Sequence, residues 1–465
     1  MGVLVDVLSW KGIFVVLITY LAGTIFYRLT LHPLAGFPGP KLAAITRWYE
    51  GYYDIVLNGQ YTFKIKELHD KYGPVIRISP YELHVNDPAF LNTLYNHDIM
   101  KKYAWTYDAH TAKGSTAFTV DHDLHKARRQ PLNGFFSKAK VASRQDMIQM
   151  YADKLCRRIS QYVGTTFDLG AASLAFTQDV ANDFIISKSY GSLDREDLDV
   201  SMLVFLQGAG REQYQDTKYL VDLATSNDKI KHRRTIIDEI LESKLSPSDK
   251  TVERIYEDVS TISNAAFETT ASVIRPVLFH VFSNPTILQR LRAELESVIT
   301  TDLKTLEQLP YLTSVLKEGF RLGGGLSTRL QRVSEKDLFY GKWRIPAGHP
   351  VGMTPLLMHT DNEVHHNAKS FLPERWIDAE TRKRSERGFA PFSKGSRICL
   401  GMHLAWAELY IVVATLVQRF DFSFPNATAE DFVEPTARDA GPKTQASGMA
   451  WRALIAGGER VTAAG

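Results

Sequence analysis

Apolar residues recur along most of this chain at three- and four-residue intervals, the period of a helix with one buried face. "TFKIKELHDKYG" (residues 62–73) reads as a short amphipathic helix that ends at Gly73. Helical spacing dominates from Asp121 to about Thr300, with Gly191, Pro247 and Pro285 as punctuation. A long central helix is expected from near Val252, and "LGMHLAWAELYIVVATLVQRF" (400–420) as an apolar helix near the C-terminus. Period-two alternation is confined to short patches. "PVIRISPYELHVND" (74–87) predicts a two-stranded hairpin, "DLFYGKWRIPAGHPVGMTP" (337–355) a second strand-rich patch, and "PTARDAGPKTQASGMAWRALIA" (435–456) a loop followed by a strand. Strands so few and short argue against a doubly wound α/β sheet. The expected fold class is mainly α with a small β portion.

The N-terminus breaks this pattern. Gly12 to Tyr27 is an uncharged apolar run, followed by Arg28 and then "HPLAGFPGPK" (32–41). A helix needs about 20 apolar residues to cross a bilayer; Leu29 to Leu31 extend the run, with Arg28 snorkelling. A cleaved signal peptide is the alternative, opposed by the length of the run and the lack of a small-x-small site. Residues 1–31 are expected to be an uncleaved, single-pass anchor in membrane lipid. Arg28, Lys41 and Arg47 after the run outnumber Lys11 before it, which puts the following chain on the cytoplasmic side. Pro33, Pro38 and Pro40 then form a stiff hinge.

Composition narrows the picture further. Of 465 residues, 44% are hydrophobic and 23% charged, and no stretch has linker composition, so a single large domain is allowed beside the two or three usual at this length. A net charge of +3 does not suggest a nucleic-acid partner. Two cysteines cannot build a disulfide framework; Cys156, in "DKLCRRI", reads as helical, and reduced chemistry follows. "GAGREQ" (208–213) lacks the third glycine and the strand–turn–helix setting of a dinucleotide fingerprint. The histidines of "HTDNEVHH" (359–366) lack a metal-ligand spacing and read as a solvated loop.

Cys399 stands just before the apolar helix. A sulfur there faces unpaired N–H groups and the positive end of the helix dipole, which lowers a thiol pKa. Gly395 and Gly401 permit a tight turn and the close approach of a flat object, and Arg397 offers a cation to a carboxylate near the sulfur. The alternative is an ordinary buried cysteine.

Phe392-x-x-Gly395-x-Arg397-x-Cys399-x-Gly401 resembles the haem-binding loop of the cytochrome P-450 family at every defining position. Other family features follow in order over essentially the whole chain. "KEGFR" supplies Glu318 and Arg321, "FLPERW" supplies Arg375, "AAFETTAS" (265–272) resembles the oxygen-activating stretch of the central helix, and "HKARR" (125–129) occupies the place of the Trp-x-x-x-Arg motif. The closest flavour is the membrane-bound, filamentous-fungal secondary-metabolite group. The resemblance implies a single catalytic domain over residues 32–465, carried on the endoplasmic reticulum membrane and facing the cytosol. It implies haem b with Cys399 as the iron's axial ligand, a thiolate that favours O–O cleavage, and O2 as co-substrate. Thr269 would hold the oxygen ligand and Glu268 feed protons to it; a back-bond from Thr269 to a carbonyl one turn earlier is the alternative. Arg129, Arg332 and Arg397, with His125 in place of the family's Trp, would meet the propionates, while Phe392 and Gly401 shape the loop. Glu318, Arg321 and Arg375 would form a buried structural network.

The implied activity is insertion of one oxygen atom into a lipophilic secondary metabolite, a terpenoid favoured over a polyketide or alkaloid. Electrons would come from NADPH through a separate NADPH–cytochrome P-450 reductase, docked on Lys126, Arg128, Lys138, Lys140 and Lys394 unless that face is merely solvated. Three departures stand out: Ala266 where the family has Gly, "VHHNAKS" without the family's prolines, and a short stretch at 191–251, where the roof of the substrate pocket is usually built. Two rival readings stand beside that activity: a reductase-independent haem-thiolate isomerase, which the retained "FETT" opposes, and a non-catalytic haem-binding protein, suggested by the short stretch and Ala266.

Overall fold

The computed structural model describes residues 9–96, 98–108, 110–196, 198, 210–226, 233–300, 302–323, 327–425, 427–429 and 452–455. In chain order the elements used below are α1 (Trp10–Phe26), α2 (Tyr61–Tyr72), β1 (Val75–Arg77), β2 (Leu83–Val85), β3 (Met100–Lys102), α3 (His122–Phe135), α4 (Gln145–Ser160), β4 (Thr166–Asp168) and α5 (Leu169–Ile186). They continue with α6 (Gly210–Thr225), α7 (Ile236–Leu241), α8 (Val252–Ser283), α9 (Pro285–Glu296), α10 (Pro310–Leu322), β5 (Arg332–Ser334), β6 (Leu338–Tyr340), β7 (Trp343–Ile345) and β8 (Pro350–Gly352). The last are α11 (Ala379–Gly388), α12 (Met402–Arg419), β9 (Phe422–Ser423) and β10 (Arg452–Ile455). The mainly helical expectation holds, and both predicted strand patches and the C-terminal strand are present; the loop expected over 435–451 lies outside the described residues.

The chain forms two compact units, residues 1–103 with 327–358, and residues 104–326 with 359–465. In the first, β1 and β2 pair antiparallel in the register Val75 to Val85, and the sheet runs β1-β2-β8-β5-β3. Helix α2 stops at Gly73, whose φ of +94° suits glycine, and packs Ile65 and Leu68 against Ile76, Ile78 and Leu357. Two buried histidines link helix and sheet. His69 Nδ1 bonds the Gly73 carbonyl at 2.8 Å, His69 Nε2 meets His84 Nδ1 at 2.7 Å, and His84 Nε2 meets Thr354 Oγ1 at 3.0 Å.

Helix α1 runs on as a π-helical turn over Tyr27–Leu31, and Trp10–Leu31 is long and apolar enough to cross a membrane, with mean hydropathy 1.7 and none of it buried. Ser9 caps its start by accepting from Gly12 N–H at 3.1 Å. The Arg28 guanidinium at the end of this run donates to the Ile45 carbonyl and, at 2.7 Å, to the Tyr81 hydroxyl.

The second unit is built around α8, capped by Thr251 and carrying Pro276 in its second half. Every residue of α5 is buried, and its Thr177 donates to the Phe267 carbonyl of α8 at 2.9 Å. Helices α10 and α12 complete the core through Val315, Leu316, Val412 and Val413. Strands β4, β10 and β9 form a small antiparallel sheet. Within 191–251 the described chain offers α6, α7 and two short 3₁₀ turns, the second at Pro247–Lys250. Gly208 and Ala209 of "GAGREQ" lie outside the described residues; its last four residues open α6, where Gln213 is buried against Asn182 and Ser263.

Candidate active site

The loop Phe392–Gly401 is fixed from within. Gly395 has φ +71°, opens a 3₁₀ turn through Arg397, and accepts from Ile398 N–H at 3.1 Å. The Cys399 N–H donates to the Phe392 carbonyl at 3.0 Å, so the two ends of the motif are tied together. Below the loop, Phe320 of α10 packs on Phe392 and on Trp406 of α12, with ring centroids 4.9 and 4.5 Å apart. Gly401, with φ −85°, caps α12; its conformation does not demand glycine, but nothing lies within 4 Å of where a Cβ would stand.

Cys399 is an exposed residue, yet protein walls it closely enough that burial raises its thiol pKa above the ordinary 9.0. The opening is a recess rather than outer surface. The Gly401 N–H and the Arg129 cation both act to lower that pKa, as helix-start reasoning expects, but desolvation outweighs them in the protein alone. A metal cation at the sulfur would reverse that balance, because a coordinated thiol loses its proton. These features fit haem: an open thiol in a walled recess, empty space over Gly401, and a half-buried arginine close enough to act on the sulfur.

On α8, Ala265 and Thr269 are exposed, one turn apart on a helix whose opposite side is core. The Thr269 hydroxyl donates to the Ala265 carbonyl at 2.7 Å, the one-turn back-bond. Glu268 forms a bidentate pair with Arg275 at 3.1 and 3.3 Å, two turns along the same helix. Sequence reasoning missed Arg275, although a spacing of seven on a helix places the two on one face. The helix is unbroken at Ala266.

Glu318, Arg321 and Arg375 come together as expected. Glu318 accepts from Arg321 at 2.9 and 2.6 Å, Arg375 at 3.3 Å, Trp376 Nε1 at 2.9 Å and Leu372 N–H at 2.9 Å. Burial pushes the Glu318 pKa up, but the two guanidinium groups and these hydrogen bonds prevail and leave it below the ordinary carboxylate value. Arg321 also donates to the His359 carbonyl at 2.6 Å, and the His359 ring accepts from Ala390 N–H at 3.1 Å, just before the cysteine loop. The "HTDNEVHH" stretch is therefore not a solvated loop: His359 and His365 are buried, and desolvation drives their pKa values down to about 3 and about 2.

The remaining candidates divide. His125 is buried on α3, and Arg129, one turn on, bonds Asn133 at 2.8 Å while burial lowers its pKa. Arg397 points its guanidinium at three successive carbonyls, Thr119 at 2.6 Å and Val120 and Asp121 at 3.0 Å. Arg332 belongs to the first unit, where it is buried, donates to the Leu330 and Gln331 carbonyls at 3.0 Å and lies over the Tyr95 ring. Of the proposed basic face, Arg128 is withdrawn into a pair with Asp249 at 2.6 Å, Lys138 pairs with Glu307 at 2.8 Å, and Lys126 is exposed.

The sequence profile described as Cytochrome P450 matches residues 209–443. Tryptophan 6-hydroxylase fscE of Fusarium equiseti is 36% identical over 91% of this chain and 92% of its own length. N-acetyltryptophan 6-hydroxylase ivoC of Emericella nidulans is 34% identical over 95% and 96%, and conidiogenone synthase PchP450 of Penicillium rubens 33% over 95% and 98%. The crystal structure of CYP102L1, 17% identical, superposes with a TM-score of 0.66 over 78% of this chain and 88% of that one, a likeness of fold.

Proposed function

The chain belongs to the cytochrome P450 family, and on that premise we propose that it inserts one oxygen atom from O2 into a lipophilic secondary-metabolite intermediate. The observation that carries the reading is Cys399, open within a walled recess at the start of α12. When bound there, haem b with a thiolate ligand supplies the iron at which O2 is activated. Cys399 would ligate it, Phe392 and Gly401 would shape the loop around it, and Arg129, His125 and Arg397 would meet the propionates. Arg275 steadies the Glu268 carboxylate, from which a proton passes toward the recess. Thr269 turns its hydroxyl from the Ala265 carbonyl to donate outward. Glu318, Arg321 and Arg375 hold the scaffold and touch no reacting atom.

Electrons come from NADPH through a separate reductase, received on Lys126, Lys138, Lys140 and Lys394, with Arg128 left out because Asp249 already holds it. Residues 1–31 anchor the protein in the endoplasmic reticulum membrane, and 32–465 form the cytosolic catalytic part. The small and apolar stripe Ile262, Ala265, Ala266 and Thr269 suits a terpenoid; the two tryptophan hydroxylases among the relatives make an indole the second candidate. The test is turnover with NADPH, reductase and isotopically labelled O2 against terpenoid and indole substrates. One labelled atom per product is expected. Product formed without NADPH consumption would replace this reading by the reductase-independent one.

A further inference from the structure

Three groups of contacts, none of them made by a residue of the recess other than Arg397, converge on the segment Gly114–Asp121. From α8, Asp258 accepts the Thr116 N–H at 2.6 Å and the Thr116 hydroxyl at 2.9 Å. Arg254, one turn before it, pairs with Asp258 at 2.8 Å and donates to the same hydroxyl at 3.1 Å. From α3, Arg128 donates to the Gly114 carbonyl and to Thr119 Oγ1, both at 2.9 Å, while Asp249 of the 247–250 turn holds its other edge at 2.6 and 2.8 Å. From the cysteine loop, Arg397 takes the carbonyls of residues 119–121. Thr116, Asp258 and Arg254 are all buried. The segment lies so close to α8 that a Cβ on Gly114 would run into the Glu257 carboxyl group.

We propose that Thr116, Asp258 and Arg254 are positioning residues for the cysteine loop, acting through Gly114–Asp121 and Arg397. Arg397 takes three consecutive carbonyls on one guanidinium, and a segment without regular secondary structure keeps that aim only if it is held elsewhere. The Thr116–Asp258 bonds hold it. Both are made to a buried carboxyl group that is itself paired with Arg254, so their loss would leave polar atoms stranded away from water, and the shared hydroxyl makes the Asp258–Thr116–Arg254 group one cooperative unit. The last turn of the short 191–251 stretch is thereby coupled, through Asp249 and Arg128, to the loop that carries Cys399.

The inference rests on Cys399 as the iron ligand, so the test carries one arm that needs no haem. Lys113, exposed beside the segment, offers trypsin a cut that requires the segment to lift. Thr116→Val keeps size and N–H but removes the hydroxyl; Thr116→Ser restores it, and Glu253→Gln on the exposed side of α8 is the control. In the full-length holoprotein, Thr116→Val is expected to speed cleavage after Lys113 and decay of the thiolate-type carbon-monoxide band, each roughly tenfold, with Thr116→Ser near wild type. In the haem-free chain, alkylation of Cys399 should accelerate with the same order of variants. Faster cleavage with an unchanged band and unchanged Cys399 alkylation would overturn the coupling; no change in cleavage would overturn the latch itself. A wild type without the band, but with variant-dependent alkylation, would sink the haem reading and keep the latch.

Discussion

Around Cys399 the chain is held by interlocking contacts between segments, several of them buried: the Cys399 N–H on Phe392, Arg397 on three carbonyls, buried Phe320 packed on Phe392, and buried Glu318 bonded by two arginines, a tryptophan and a backbone N–H. From 191 to 251 the described chain is held differently. Gln213 and Asp238 are buried, but most charge contacts are surface pairs such as Lys218–Asp222 and Arg234–Glu242, with side chains 45–63% exposed. Water can replace the second kind of contact and not the first. The loop around Cys399 is therefore held more firmly than the stretch 191–251.

The strongest way to break this contrast is Glu318→Gln, which leaves Arg321 and Arg375 buried without their anion. Loss of about 3–5 kcal/mol is expected in chemical denaturation; a loss under about 1 kcal/mol would show that the network is not what fixes the ligand side. Acid extends the comparison to the buried histidines of the first unit. Burial lowers the His69 pKa from 6.5 to about 4 and holds that of His84 well below the ordinary value. The unfolded chain takes up protons below 6.5 that the folded one refuses. Stability should then hold above about 6.5 and fall by roughly 3 kcal/mol toward pH 4 from His69 alone. An unfolding midpoint flat across that window would contradict it, and His69→Gln should reduce the slope.

Thr269→Ala probes the open stripe of α8. Product formed per NADPH is expected to fall roughly tenfold while NADPH consumption continues; unchanged coupling would confine Thr269 to its bond with Ala265. The smallest effect belongs to the surface: Lys218→Ala should change stability by less than about 0.5 kcal/mol, and a larger loss would mean that the 191–251 stretch is tied down more firmly than its exposed pairs suggest.

Local pattern made much of this readable. Helices α2, α8 and α12, the β1–β2 hairpin and the Glu318–Arg321 spacing follow from periodicity and turn residues within one segment. Arg275 and the Arg254–Asp258 pair were open to the same reasoning, since they stand seven and four apart on α8. What sequence spacing hides is contact between distant segments. Arg128 was expected at the surface because nothing nearby in sequence marks Asp249 as its partner, 121 positions away. The burial of His359 and His365 depends on Arg321 and Trp376 closing over a polar stretch. The thiol pKa of Cys399 depends on how closely protein walls it, a property of tertiary packing and not of its place before a helix.

The most direct test of the account is the absorption spectrum of the reduced, carbon-monoxide-bound protein beside Cys399→Ser. The account predicts the red-shifted thiolate-type band in the wild type and its complete loss in the variant, with folding retained by circular dichroism. A wild type lacking the band, or a variant keeping it, would contradict Cys399 as the iron ligand.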